Sequence, residues 1–342
     1  MPGFQRAPGK CSTRARREAG IDPVCHTLFG AALARAGLAR GTALGGTALI
    51  VGANLPDVDG LAYFAGPAAD LAWRRGWTHG VLALAVLPFL LTGVLLLVER
   101  WRGRARRNTK RAAAMPRRLL LLSFIGILSH PILDTLNTYG VRWLMPFSGR
   151  WFYGDALFIV DPWVWLLLSS GIAWSWWQGR KSTAEQQLGA RTLLFLTVLY
   201  MGGMWVSGGV ARSIVSQESE EKLGVRSARI MAGPLPITPF TRSFVLQQDS
   251  VYRVGTFRWL AEPRVDWTSV RSFPRGRPSH PALAAAESTQ VMRRFLSWAR
   301  YPVFQVQQTG QNSYLVHVID LRYARDSGRD FGSLRIPVSL RD

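Results

Sequence analysis

Long runs without charge alternate with short, crowded, charged gaps along this chain. Residues 81–98 read VLALAVLPFLLTGVLLLV, 18 positions without a charged side chain, and residues 192–211 give 20 more. At about 1.5 Å per helical residue, each run can cross a hydrocarbon core of about 30 Å. Residues 119–136 and 156–177 form two further candidates, each broken by one aspartate, Asp134 and Asp161. Two shorter apolar segments come earlier, at 24–39 and at the Gly/Ala-rich 41–56. Their length predicts a tilted helical hairpin or a re-entrant pair.

After residue 211 the pattern changes. Glu218, Glu220 and Glu221 open a polar stretch that Pro234, Pro236 and Pro239 punctuate. Residues 243–260 and 301–324 have strand-like content, and two apolar runs flank Thr309–Asn312 as in a hairpin. Residues 281–299 read as helix. The expected fold is therefore mainly α: a polytopic membrane helical bundle with a C-terminal extracytoplasmic α+β domain. The boundaries are a basic tail at 1–21, the bundle with its candidate site at 22–211, and the α+β domain at 212–342.

Composition sharpens this picture only through its distribution. The chain has 342 residues, 48% of them apolar, and a formal net charge of +21. That apolar share is ordinary for a globular chain. The uncharged windows exclude a disordered chain and a coiled coil. Two cysteines, Cys11 and Cys25, cannot build a disulfide framework or a thiolate metal site. Residues 1–20 are basic, but no compact apolar core with a small-residue cleavage site follows, so no secretory signal is expected.

Charge also orients the bundle. The gap at 99–118 holds nine basic residues against Glu99, and the gap at 178–191 holds Arg180, Lys181 and Arg191 against Glu185. Short Lys/Arg-rich loops stay cytoplasmic. Residues 57–79, 137–155 and everything after 211 then face the other side. Arg35 and Arg40 mark a cytoplasmic turn in the first hairpin. The basic tail opposes this assignment, since Arg6–Arg17 would lie outside. The densest basic cluster sits between two spans, where anionic headgroups account for it, so no nucleic-acid partner is expected.

Several ionisable residues lie where apolar packing disfavours them: His26, Asp57 and Asp59 in NLPDVD, His79 in RRGWTHG, His130 and Asp134 in HPILD, and Asp161 in IVDPW. A charge at the centre of an inserted helix costs at least about 2.5–3.5 kcal/mol and marks function by default. His130 and Asp134 are four apart and share one helix face, next to Pro131. On the orientation above, all of them approach the extracytoplasmic end of the bundle. Three imidazoles and three carboxylates form a ligand set for divalent metal, suited to Zn, Mn, Fe or Ni, and numerous enough for one or two ions. Blander readings stand beside it. Asp57 can be a helix N-cap, Asp134 can pair with Arg142, and Asp161 can cap a helix starting at Pro162. His280 and His317 stand alone in the C-terminal domain and carry no expected chemistry.

The strings DPVCHTLFGAALARAGLAR (22–40), ANLPDVDGLAYF (53–64), RRGWTHGVLAL (74–84), SHPILDTLNTYGVRWLMPFS (129–148) and WFYGDALFIVDPWVWLLL (151–168) resemble the YdjM/YbcI-like bacterial inner-membrane proteins. These are described as membrane-bound metal-dependent hydrolases. The resemblance covers about 150 residues in order and leaves 1–21 outside. It implies a multi-pass protein of the bacterial inner membrane with a metal site. His26 matches the histidine of the opening D-x-x-x-H piece, with Cys25 where threonine is expected. Asp57 and Asp59 match the PDxD carboxylates, His79 the TH histidine, His130 and Asp134 the HxxxD pair, and Asp161 the DP aspartate.

The reading from the sequence is a metal-dependent hydrolase. Its ligands would be His26, Asp57, Asp59, His79, His130 and Asp134. Asp161 would act as an orienting group or base, and Arg75 would hold an anionic oxygen. A site at headgroup level points to membrane lipid as partner and to a lipid-linked, phospholipid-type or phosphate ester as substrate. The alternative is a non-catalytic membrane protein or a transporter that uses buried His and Asp as an ion or proton relay.

Overall fold

A computed structural model describes residues 22–105, 113–178, 183–224, 229–323 and 331–340. The basic tail at 1–21 and the loop cations Lys110, Arg180 and Lys181 lie outside them. Among the described residues, three helices are long and apolar enough to cross a membrane: α4 (Val81–Ala105), α5 (Pro116–Thr135) and α7 (Thr183–Leu223). α6 (Pro162–Trp177) has 16 residues and packs along α7.

The two short apolar segments form a helical hairpin. α1 (Pro23–Leu33) begins at Asp22, whose side chain accepts from Cys25 N at 2.9 Å, with Pro23 in the first turn. A π-helical piece, Ala34–Leu38, continues it to a turn through Gly37 at φ 111°. α2 (Gly45–Asn54) returns antiparallel, and at 10 residues it spans about 15 Å, half a hydrocarbon core. Glycines let α1, α2 and α5 touch backbone to backbone. A Cβ on Gly30 or on Gly126 would stand 2.8 Å from the same atom, the Leu49 carbonyl oxygen. Small residues at such contacts are how apolar helices associate where burial alone gives no drive. The same contacts bring His26 at the start of α1, the end of α2 and His130 near the end of α5 to one end of the bundle.

A 3-10 segment, Leu55–Ala65, and the short α3 (Pro67–Trp73) lead from α2 to the turn before α4. Helix α6 starts six residues later than the apolar run at 156–177 predicts. Residues 156–161 are irregular instead, with Leu157 bridged to Asn137, and Asp161 caps the helix.

The C-terminal part carries two antiparallel sheets. β1 (Arg229–Pro234), β2 (Thr241–Gln247), β3 (Val251–Arg258) and β4 (Arg271–Pro274) pair in that order. β5 (Pro302–Gln308), β6 (Ser313–Asp320) and β7 (Ser333–Ser339) form the second, with the β5–β6 turn at residues 309–312 as the sequence predicts. The helix expected at 281–299 is two: α8 (Pro281–Glu287) and α9 (Gln290–Trp298), where Thr289 accepts from Met292 N and restarts the chain. The compositional change after residue 211 falls inside a helix. α7 runs on to Leu223, and its Ala211 and Val215 pack with Phe244, Leu246 and Phe257 in the core of the first sheet.

Candidate metal centre

Four donor groups converge at the end of the bundle that faces the C-terminal domain: Asp57, His79, His130 and Asp134, each offering an atom within 4.8 Å of the others. His79 Nε2 and His130 Nε2 are 3.0 Å apart. Asp134 Oδ2 lies 3.4 Å from the first and 3.5 Å from the second, and Asp57 Oδ1 lies 3.5 Å from His130 Nε2.

The far sides of the two imidazoles explain what the near sides need. His130 Nδ1 sits 2.6 Å from the Ala53 carbonyl oxygen, an acceptor only, so this nitrogen carries the proton. His79 Nδ1 lies 3.2 Å from Asp59 Oδ2 and 3.0 Å from Thr78 Oγ1. The Thr78 hydroxyl itself donates to Asp59 at 2.9 Å, so His79 Nδ1 donates to the carboxylate. With both rings neutral, each turns an Nε2 lone pair toward the other. Two acceptors at that distance repel unless a cation, a proton or a metal ion, stands between them. An outer carboxylate and a backbone carbonyl are the usual partners of metal-bound histidines.

The oxygens agree. Asp57 Oδ2 and Asp134 Oδ2 are buried without any hydrogen-bond partner, as is His26 Nδ1. Asp57, Asp59 and Asp134 against Arg75 leave a formal charge of −2 with the imidazoles neutral, which one divalent ion balances. Donor atoms around a tetrahedral zinc at about 2.0–2.1 Å lie about 3.3 Å from one another, close to the separations seen here. The residues present fit one divalent ion.

Local structure sets each donor. His130 and Asp134 are one turn apart on α5, and the helix runs through Pro131 without losing that register. Arg75 adopts a left-handed backbone (φ 50°), rare for a non-glycine residue, and this turns its N–H onto Asp59 Oδ2 at 2.7 Å. His79 follows in the same turn and is fully buried.

Two proposed ligands sit differently from the expectation. Asp59 stands behind His79 and orients it. His26 stacks on the His130 ring at 3.7 Å and faces the other oxygen of Asp134, with Nε2 3.5 Å from Oδ1. Arg75 points at Asp134. Its guanidinium is buried, donates to Asp134 Oδ1 at 2.9 Å and Asn137 Oδ1 at 3.0 Å, and lies over the Tyr139 ring. It fixes one Asp134 oxygen and leaves the other for the cluster. Asp134 pairs with Arg75 and not with Arg142, which donates instead to the Ala72 and Arg74 carbonyls. Asp161 is not brought to the cluster either. Its oxygens accept from Trp163 N, Val164 N and the Tyr200 hydroxyl, as a helix cap does. Asn137 and Tyr139, which hold Arg75, went unnoticed in the sequence because neither carries charge.

Access is narrow. His79, His130 and Asp134 are buried, and only the Asp57 side chain keeps appreciable exposure, 14%. It lies at the floor of a shallow depression of about 440 Å³ lined by Pro23, Ile50, Val51, Asn54, Leu55 and Val58.

Fold and site together define a membrane protein with a His/Asp cluster able to hold a metal ion. The sequence profile of the YdjM inner membrane protein family matches residues 21–211, more than half of the chain, and the chain belongs to that family. It is also similar to the uncharacterized protein YfhP of Bacillus subtilis (strain 168), 21% identical over 278 residues, which cover 81% of this chain and 76% of the relative. No solved structure matches the chain.

Proposed function

We propose that this protein is a multi-pass, membrane-bound metal-dependent hydrolase with its centre at the extracytoplasmic end of the bundle. The observation that carries the reading is the convergence of two Nε2 atoms 3.0 Å apart, each ring fixed from behind by an acceptor, with two unpartnered carboxylate oxygens. Asp57, His79, His130 and Asp134 would hold a divalent ion, with Zn, Mn and Fe the candidates. A bound ion of this kind supplies a Lewis acid for hydrolysis. The chain's own residues do the rest. Arg75 and Asp59 hold Asp134 and His79 in place, and the buried walls exclude bulk water. Asp57, at the entrance with Oδ2 unpartnered, is the carboxylate placed to take a proton from an attacking water.

The extracytoplasmic assignment is supported by the basic gaps at 99–118 and 178–191, because positive loops are retained in the cytoplasm. A lipid-type or phosphate ester is the substrate class supported by the approach. Pro23, Ile50, Val51, Leu55 and Val58 line it with apolar surface and leave Asp57 and Asn54 as its polar floor.

Elemental analysis of the purified protein tests the centre. We expect about one divalent ion per chain, seen in an anomalous map between His79 and His130. A metal-free preparation with an ordered bundle, restored by no added Zn, Mn or Fe, would remove the hydrolase reading in favour of a relay or structural role. Reporter fusions at residues 108 and 230 test orientation, with cytoplasmic and extracytoplasmic signals expected, and the reverse pattern would move the centre to the cytoplasm.

A further inference from the structure

The C-terminal domain lies outside the region that defines the family, and the bundle alone supplies every donor of the centre. Its contacts nonetheless end on the residues that hold Arg75. After α5 the chain turns through Asn137, Thr138, Tyr139 and Gly140. Asn137 Oδ1 accepts from Arg75 Nη1 at 3.0 Å and from Tyr139 N at 2.9 Å, and the Tyr139 ring lies 4.6 Å beneath the guanidinium. This segment is what aims Arg75 at Asp134.

Two side chains of the C-terminal domain roof that segment. Trp298, at the end of α9, donates from its indole N–H to the Tyr139 carbonyl oxygen at 3.1 Å and packs its ring 4.9 Å from the Tyr139 ring. Arg322, after β6, donates to the Thr138 carbonyl oxygen at 2.7 Å and to the Trp298 carbonyl oxygen at 3.1 Å. Arg322 is itself fixed by Asp320, with both side chains fully buried. Every residue in this chain of contacts is buried, so no water competes for its hydrogen bonds.

We propose that Trp298 and Arg322 are positioning residues of the metal centre: they clamp the 137–140 segment, which aims Arg75 at Asp134 and so selects the oxygen that faces the two imidazoles. The C-terminal domain is then a working part of the site and not an appendage. This rests on the cluster binding metal, as proposed above.

Outer residues around metal ligands typically cost about 10–100-fold in affinity when removed; Trp298 stands two contacts beyond Arg75, so about tenfold is the ceiling for its loss. The test uses the full chain in detergent or nanodiscs, loaded with Co(II), whose visible absorption reports ligand geometry. Trp298→Ala should weaken Co(II) by up to about tenfold and change the absorption bands. Trp298→Phe, which keeps the ring on Tyr139 and loses the N–H, should recover part of the affinity. Phe257→Ala destabilises the same domain through the other core and is the control for general loosening. It should leave affinity and spectrum as in the parent. Equal Co(II) spectra and affinities in the parent and Trp298→Ala would overturn the clamp, and so would an identical change in Phe257→Ala. A parent protein that takes up no Co(II) overturns the metal reading as well, which separates the two failures.

Discussion

Two buried charged clusters lie close in this molecule, and they are built in opposite ways. In the C-terminal domain, Asp320 and Arg322 satisfy one another. Arg322 Nε and Nη2 donate to Asp320 Oδ2 at 3.0 and 2.8 Å, while Asp320 Oδ1 accepts from Arg322 N and Oδ2 also from Arg300 N. The pair is neutral and closed. Burial pulls the Arg322 guanidinium down, but Asp320, Tyr323 and Tyr153 together hold it above its ordinary value. In the bundle, Asp57, His79, His130 and Asp134 leave two carboxylate oxygens unpartnered and set two imidazole Nε2 atoms face to face. That cluster is anionic and open. Burial of charge is therefore not itself the sign of a site. The sign is burial with donors lacking, since a buried polar atom without a partner costs free energy that something must offset.

The strongest way to break the comparison is to remove a donor from the open cluster. His130→Ala should abolish stoichiometric metal, read by elemental analysis, with helical content by circular dichroism unchanged. Retained metal would show that the ion binds elsewhere. Next, removing one partner of the closed pair should cost stability and not occupancy. Arg322→Met leaves Asp320 buried and alone, a change worth about 3–5 kcal/mol in comparable pairs, measurable by denaturant unfolding of the C-terminal domain. The metal should remain bound, though more weakly if the clamp holds.

A smaller effect tests the support behind the donors. Asp59→Asn keeps the shape and removes the charge behind His79, so metal affinity should drop by about 10–100-fold with stoichiometry unchanged at saturating ion. An unchanged affinity would make Asp59 a packing residue. Smallest of all, His280→Ala should leave metal content untouched. His280 Nδ1 accepts from Ala282 N at 3.1 Å as the cap of α8, so its loss should cost about 1 kcal/mol. A fall in metal content would mean that histidines outside the cluster contribute.

The bundle was legible in the sequence because apolar run length is a local property, as the spans at α4, α5 and α7 show. Where a local rule competed, the pattern misled. The apolar run at 156–177 hides an Asp-Pro start that delays α6 to Pro162. β1, β4 and β7 went unread. β1 carries Gly233 and Pro234 and β4 has only four residues, while β7 alternates at Leu334, Ile336 and Val338 but is interrupted by Pro337, which suits its edge position.

The sequence by itself determined which side chains carry the chemistry. An imidazole or carboxylate in an apolar helix announces itself, and the i, i+4 spacing of His130 and Asp134 fixes their shared face. Only the tertiary structure decided what each one does. Asp59 backs His79, Arg75 serves Asp134, Asp161 caps a helix, and a tryptophan of another domain roofs the segment between them. Apart from the Asp161 cap, which is local, the contacts that assign these roles join residues from 16 to 159 positions apart. Local periodicity carries no information over such separations, whereas close backbone packing at Gly30 and Gly126 brings α1, α2 and α5 together at the end that carries the donors.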